Sequence, residues 1–378
     1  MDIKPQHHRP NPGNHFGQAI EPVNPHQQNP SLTNQTPPPP SPPPPTVNSS
    51  QNDPELSSVI QQANQQIAAI KNTFSQLIVG QAELLDSIFV TLLSRGHLLI
   101  EGVPGLAKTT AAHTVAASIG ADFARIQCTP DMLPSDIVGS QIYNQEKHEF
   151  VTQLGPINHS FLLVDEINRT SAKTQSALLE AMQERQVSIG GKTHSLPHTF
   201  IVMATQNPID QEGTYPLPEA QLDRFLLKHV VQYPNFDEEI EIVKRKPSTD
   251  AIAQVHAAIT TNDMRSLQEL TTKIHTDERI IRYAVSIVDA TRNPDKYGLK
   301  DIHPLVQLGA SPRASLALLA AGRACALMNG SSYVTPDHIK PYLQRVLRHR
   351  LILTYEAEAE NITADNIINK IGSVVQVP

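Results

Sequence analysis

Five short, nearly unbroken apolar runs recur along the chain, each separated from the next by residues with helical periodicity or by an inserted hairpin pattern. They are HLLIE (97–101), FARIQC (123–128), FLLVDE (161–166), FIVMATQ (200–206) and FLLKHVVQY (225–233). A strand that faces water on one side alternates apolar and polar residues, whereas one covered on both faces has no need to. The pattern predicts an α/β fold with a parallel five-stranded sheet between layers of helix. Residues 139–155 and 185–197 each read as two short strands around a turn, the second with Gly190 and Gly191 at its tip, and predict hairpin insertions on that frame. After about residue 235 the periodicity becomes helical, which predicts an all-helical second domain. The segment 335–353 reads as one of its helices, started by Thr335 as cap and Pro336 in the first turn.

Ahead of the first strand, Leu56, Val59, Ile60, Ala63, Ile67, Ile70 and Phe74 recur at three- and four-residue steps and predict one apolar helix face. Residues 1–52 are rich in Pro, Gln and Asn, with TPPPPSPPPPT at 36–46 and hardly any aliphatic side chains. Such a segment buries too little apolar surface to offset its ordering entropy, so it reads as a disordered tail, or else as a docking site for a proline-recognising partner. The expected division is a tail at 1–52, a core at 53–235 and a helical domain at 236–378.

Composition narrows the chemistry. The formal charge of -7 across 378 residues, with no long Lys/Arg run, lacks the electrostatic footprint of a nucleic-acid binder. Cys128 and Cys325 stand far apart, which excludes a disulfide framework and suits a reducing compartment. No stretch approaches the roughly 18 apolar residues of a membrane span, and no signal-peptide core opens the sequence, so a cytoplasmic protein is expected. None of the sixteen His falls in a ligand motif; His194 and His198 are four apart but Pro197 intervenes.

The first strand runs directly into GVPGLAKTT (102–110). Gly102 and Gly105 let the backbone wrap a phosphate so that N–H groups and a helix N-terminus face it. Lys108 would then reach the β- and γ-phosphates, and Thr109 would offer its hydroxyl to magnesium. The position before the lysine is usually Gly and here is Ala107. If it requires positive φ, a Cβ costs about 1–2 kcal/mol; if it is already helical, Ala helps the helix start. The third strand ends in Asp165 and Glu166, at the sheet edge where α/β folds bind ligands. Asp165 suits magnesium, commonly through water, and Glu166 is placed to activate an attacking water. The fourth strand brings Asn207 to the same edge, to hold that water or simply to turn the chain before Pro208. Arg224 and Arg313 are catalytic cations or solvated arginines; residues alone do not separate the two.

Together GVPGLAKT, LLVDEINRTSAKTQSALLEAMQE, ATQNPIDQEGTYPLPEAQLDRF, GASPRASLALL and YVTPDHIKPYLQRVLRHRLIL resemble the AAA+ ATPases, specifically the MoxR group, over about residues 55–360. The resemblance implies sheet order 5-1-4-3-2, a helical lid and a ring, usually a hexamer, with ATP and Mg2+ between subunits. It makes Gly102, Val103, Pro104, Gly105, Leu106, Ala107, Lys108, Thr109 and Thr110 the nucleotide loop and adds Ile78, Val79 and Gly80 of IVGQ beside the adenine. Asp165 and Glu166 become the Walker B pair and Asn207 sensor 1. By the same likeness Arg224 is an arginine finger for the neighbouring site, and Arg313 is sensor 2. It further implies chaperone-like maturation of client proteins, often beside a partner with a von Willebrand factor A domain. The role of Arg169 stays open, and the basic run 345–350 reads as a solvated lid face. Two other functions compete: a nucleotide-gated scaffold without useful turnover, suggested by Ala107, and a nucleic-acid motor, which the acidic balance disfavours.

Overall fold

The computed structural model describes residues 54–208, 214–245 and 255–378. The expected tail at 1–52 lies outside them, as do residues 209–213 of the ATQNP motif region. Strands β1 (Leu98–Glu101) and β2 (Phe123–Gln127) are followed by an antiparallel hairpin, β3 (Gly139–Asn144) and β4 (Glu149–Leu154). Strand β5 (Phe161–Asp165) precedes a second hairpin, β6 (Gln186–Ile189) and β7 (Lys192–Ser195), before β8 (Ile201–Gln206) and β9 (Leu227–Val230). The five central strands pair in parallel in the order β2-β5-β8-β1-β9. Counted among themselves and read from the opposite edge, that is the expected 5-1-4-3-2.

Burial explains why those runs lack polar alternation. Leu98, Ile100, Phe161, Leu163, Met203 and Leu227 turn to one face and join the larger core with the lid helices. Leu99, Leu162, Val164, Val202 and Ala204 turn to the other, against the helix Ala172–Glu184. Successive strand residues thus enter two different cores, and both need apolar side chains. The helix Lys108–Ser118 follows β1 with Ala111, Ala112, Val115 and Ala116 buried; its small side chains allow close approach to the sheet.

The first helix, Pro54–Leu77, buries Ile60, Ala63, Ile67, Ile70 and Phe74 and packs against both Lys108–Ser118 and the lid helix Pro312–Met328. Leu56 packs at its edge. Val59 departs from the expected face and is exposed, because Ile60, one residue and about 100° further round, occupies the seam.

The lid is helical, with one correction. Residues 335–353 do not form one helix. Pro341 lacks an N–H and clashes with the preceding turn, so the segment breaks into Pro336–Ile339, a tight turn at Lys340–Tyr342, and Leu343–Leu347. Beyond it Ile352–Leu353 pairs antiparallel with Val306–Leu308, a small sheet inside a domain expected to be all helix. Thr335 does cap its helix, with Pro336 in the first turn.

Candidate nucleotide site

The turn after β1 is shaped by positive φ angles. Gly105 lies at φ 88° and Ala107 at φ 55°, ψ 20°. A Cβ on Gly105 would meet nothing within 4 Å, so its backbone angle, not crowding, calls for glycine there. Ala107 occupies the left-handed region despite its Cβ, and its carbonyl receives the Ala111 N–H at 2.8 Å to begin the helix. Of the two alternatives open from sequence, positive φ is the one realised. The Lys108 Nζ donates to the Gly102 carbonyl at 2.5 Å, closing the loop on itself. Burial pulls the Lys108 ammonium below its ordinary pKa, while the nearby carboxylates of Asp165 and Glu166 work to keep it charged.

Across the cleft, β5 delivers its two acids in different ways. Asp165 is buried; its Oδ2 lies 2.6 Å from Arg125 Nε, and its Oδ1 accepts from Thr205 Oγ1 at 3.1 Å. Glu166 takes a left-handed conformation at φ 56°, ψ 52°. Its N–H donates to the same Thr205 hydroxyl at 2.9 Å, and its carboxylate lies 2.7 Å from Arg169 Nε. One hydroxyl from β8 therefore fixes both acids. Arg169, whose role was open, holds the Glu166 side chain.

Gly102, Lys108, Thr109, Asp165, Glu166 and Asn207 line one cleft of about 360 Å³, together with Pro104, Gly105, Leu106, Ala107 and Thr110. Arg125, Gln127 and Thr205 line it too, and sequence reasoning missed them. The signal was available: Arg125 and Gln127 stand two apart in FARIQC and so point to one side of β2. Among the described residues no group of three or more His, Cys, Asp or Glu is placed to hold a metal. The hard oxygens of Thr109 and Asp165 fit magnesium, which takes one or two protein ligands and completes its shell with phosphate and water.

A second, more apolar cleft of about 280 Å³ adjoins the first and shares Gly105, Leu106, Ala107 and Thr110 with it. Ile78 and Val79 line it as expected, joined by Leu77, Gln81, Pro234, Ile242 and Arg245. Gly80 and Val103 line neither cleft. Gly80 instead turns the chain at φ 74°, where a Cβ would come within 2.9 Å of the Glu238 carboxyl. The helix Phe236–Arg245 reaches this cleft; strand-and-loop motifs gave no hint of it.

Arg224 and Arg313 do not enter either cleft of their own chain. They line a separate pocket of about 230 Å³ with His97, Met182, Gln183 and Asp223. Asp223 accepts from Ser311 Oγ at 3.1 Å and from Arg350 Nε at 2.7 Å, with Arg313 Nη1 at 3.6 Å. This corrects the reading of the basic run as a solvated lid face. The Arg350 side chain is 3% exposed, and its guanidinium also donates to the Phe225 and Leu226 carbonyls. Arg345 reaches Glu83 at 2.8 Å, and Arg348 reaches Asp365 at 2.9 Å. His349 sits buried against the Phe225 carbonyl at 3.1 Å. Charge alternating with Leu and Val suggested a wet face because sequence does not show that carboxylates and strand-end carbonyls wait opposite.

The two hairpins meet: a Cβ on Gly190, at φ 57° in the second tip, would collide with the Gln141 side chain of the first. On the first hairpin Tyr143 and Phe150 pair edge to face with centroids 5.3 Å apart, and both rings are exposed.

Known proteins resemble this chain in sequence and fold. Residues 97–227 match the family described as "ATPase family associated with various cellular activities (AAA)", and residues 299–371 match an AAA lid domain. The chain is 50% identical to the protein named Chaperone MoxR1 of Mycobacterium tuberculosis over 303 residues, covering 80% of each chain. It is 46% identical to the uncharacterised protein YeaC of Bacillus subtilis over 304 residues, covering 80% of this chain and 92% of that one. A crystal structure of a candidate ATPase from Cytophaga hutchinsonii superposes with a TM-score of 0.81 at 42% identity, covering 86% of this chain and 99% of the other.

Proposed function

Since the chain belongs to the MoxR group of AAA ATPases, we propose that it hydrolyses magnesium ATP in a ring of identical copies and uses the cycle to remodel or mature protein clients. The observation that carries this reading is the convergence of Lys108, Thr109, Asp165, Glu166 and Asn207 on one cleft at the strand ends. In this reading Lys108 neutralises the β- and γ-phosphates, and Thr109 and Asp165 would hold a magnesium ion that would shield the phosphate charge. Glu166 accepts a proton from the attacking water that Asn207 orients. The apolar cleft beside it, with Ile78 and Val79, takes the base.

Arg224 and Arg313 act on a neighbour's triphosphate, which their shared pocket outside the chain's own cleft supports. Supplying such an arginine raises phosphoryl-transfer rates about 10³ to 10⁵-fold in related systems, roughly 4 to 7 kcal/mol of barrier. Isolated copies therefore bind ATP and turn over slowly. A hexameric ring, a core at 53–235 with a lid at 236–378, and a partner with a von Willebrand factor A domain complete the proposal. Among the described residues no helix is long and apolar enough to cross a membrane, in keeping with work in the cytoplasm.

The test is Glu166→Gln. The variant is expected to bind ATP, stay assembled, lose hydrolysis and retain its client for identification by mass spectrometry. Undiminished hydrolysis would remove Glu166 as the base. ATP binding with equally negligible turnover in the wild type would favour the scaffold reading.

A further inference from the structure

Each acid of the cleft has an arginine against it, and the two arginines stand in different places. Arg169 lies 2.7 Å from Glu166 and lines neither cleft. Arg125 lines the nucleotide cleft itself, with its side chain 50% exposed. It rises from β2, the edge strand, where Arg125 pairs with Leu163 and Gln127 with Asp165. Two residues apart, Arg125 and Gln127 share one side of that strand. The Arg125 Nε donates to Asp165 Oδ2 at 2.6 Å, and its Nη2 donates to Gln127 Oε1 at 3.1 Å. A guanidinium carries five N–H groups in one plane; the other three have no partner among the described residues. Neutralising Asp165 thus occupies one edge of the arginine and leaves the rest turned to the cleft.

The charges say what that edge is for. Among the described residues lining the cleft only four are charged, Lys108 and Arg125 against Asp165 and Glu166. Lys108 belongs to the loop side, with its Nζ 2.5 Å from the Gly102 carbonyl. Without Arg125, a triphosphate would meet that one cation of its own chain and two carboxylates. A carboxylate offers about four acceptor sites, so Asp165 can keep Arg125 and Thr205 and still serve magnesium. Arg125 therefore has no need to leave it. Braced in this way the guanidinium has little freedom left to lose, and its planar fork suits phosphate oxygens. We propose that Arg125, held by Asp165, binds the terminal phosphate of ATP within its own chain and so gives the site a preference for ATP over ADP. The two acids mark that end of the cleft, because Glu166 is the group assigned to the water that attacks the terminal phosphate, whereas the inner phosphates lie in the wrap from Gly102 to Thr110. The inference rests on that reading of the cleft and adds a cation that acts before any neighbour supplies one.

Displacement of a fluorescent ADP analogue from the full chain, by ADP and by a non-hydrolysable ATP analogue, tests it. Arg125→Gln should weaken the ATP analogue by about 10- to 100-fold, as expected for a lost hydrogen bond to a charged group, and ADP by no more than about 3-fold. The selective loss should persist when magnesium is removed with a chelator, because the contact runs to phosphate and not through the metal. Arg125→Lys keeps a charge beside Asp165 and so keeps the chain folded where Gln would strand a buried carboxylate. It should show the same selective loss at about 3- to 10-fold, since an ammonium cannot hold carboxylate and phosphate in one fork. Equal weakening of both nucleotides in the two variants, or a loss seen only with magnesium, overturns the inference and leaves Arg125 as the counter-ion that positions Asp165. Unchanged binding of both nucleotides overturns it too. In these cases the nucleotide site itself stands, as Lys108→Ala would show by weakening ADP and the ATP analogue together. A wild type that binds neither overturns the site and the inference with it.

Discussion

Arg350 Nε lies 2.7 Å from Asp223 Oδ1, and this buried ion pair fixes the backbone one residue before Arg224. The same guanidinium donates to the Asp223 and Phe225 carbonyls at 3.2 and 2.6 Å, so a lid side chain holds both neighbours of that arginine. Burial draws the Arg350 guanidinium below its ordinary pKa, and Asp223 counters it. The lid therefore sets the position of the cation proposed to reach the adjoining copy.

Removing one partner of such a pair strands a buried charge, which costs about 3 to 5 kcal/mol. Asp223→Ala should lower the urea midpoint accordingly, and more than Arg345→Ala, whose partner Glu83 is largely exposed. Equal midpoints for the two variants would show that Arg350 finds its stabilisation elsewhere.

Ala107 offers a test with opposite signs. At φ 55° its Cβ is strained by about 1 to 2 kcal/mol, and a β-branched side chain fares worse. Ala107→Gly relieves the strain but adds unfolded-state entropy, which returns roughly 0.5 to 1 kcal/mol. The expected result is a stability unchanged or raised by about 1 kcal/mol with hydrolysis retained, whereas Ala107→Val should destabilise and weaken ATP binding. Thermal melts with and without nucleotide measure both. A destabilised Gly variant would mean that the methyl group makes contacts that outweigh the strain.

The fold was legible because its signal is collective. Five runs, each feeding two cores, leave few ways to arrange a sheet, and the two hairpins announced themselves through turn residues such as Gly190 and Gly191. The cleft's backbone loop and acids were legible for the same reason: Asp165 closes one strand with Glu166 next, and Lys108 and Thr109 open the helix that the loop after another strand leads into. What stayed hidden depends on partners distant in sequence. Arg125 meets Asp165 across 40 residues and Arg350 meets Asp223 across 127. Ile242 reaches the nucleotide cleft from a helix that sequence assigned to the lid. An arginine's periodicity cannot say whether its far end meets water or a carboxylate.

Thr205 should matter to turnover more than to binding. Its hydroxyl accepts from the Glu166 N–H and donates to Asp165, at 2.9 and 3.1 Å. Thr205→Val keeps the volume while freeing Glu166 from the contact that supports its left-handed backbone. Misplacing a reacting group by about 1 Å can cost 10²-fold, so kcat should fall by roughly 10 to 10²-fold with KM for ATP little changed. Thr205→Ser, which keeps the hydroxyl, should restore most of the rate. Equal activity in the Val variant would remove this hydroxyl from the catalytic arrangement.

Acid should weaken the seam between sheet and lid before it reaches the carboxylates. His97 and His229 are pulled down to about 3, chiefly by burial and then by Arg185 and Arg345 respectively. His349 lies well below the ordinary range through burial and the Arg350 charge. His229 Nδ1 is 3.0 Å from Ser87 Oγ, which Arg345 contacts at 3.2 Å, and His349 meets the Phe225 carbonyl, so two of the three stand at contacts with the lid. A histidine kept neutral in the folded chain titrates near 6.5 once unfolded, so the unfolded state binds the extra protons and stability falls as the pH is lowered. The full contribution is present above about pH 6.5 and drains away toward pH 3. At pH 5 His97 and His229 should each have lost about 2 kcal/mol, roughly 4 kcal/mol together, with His349 acting in the same direction. Urea unfolding at pH 7.5 and pH 5.0, followed by far-UV circular dichroism, should show a markedly lower midpoint in acid. His229→Gln should remove about 2 kcal/mol of that dependence, and a midpoint that does not move between the two pH values would mean that these rings take up protons without leaving their places.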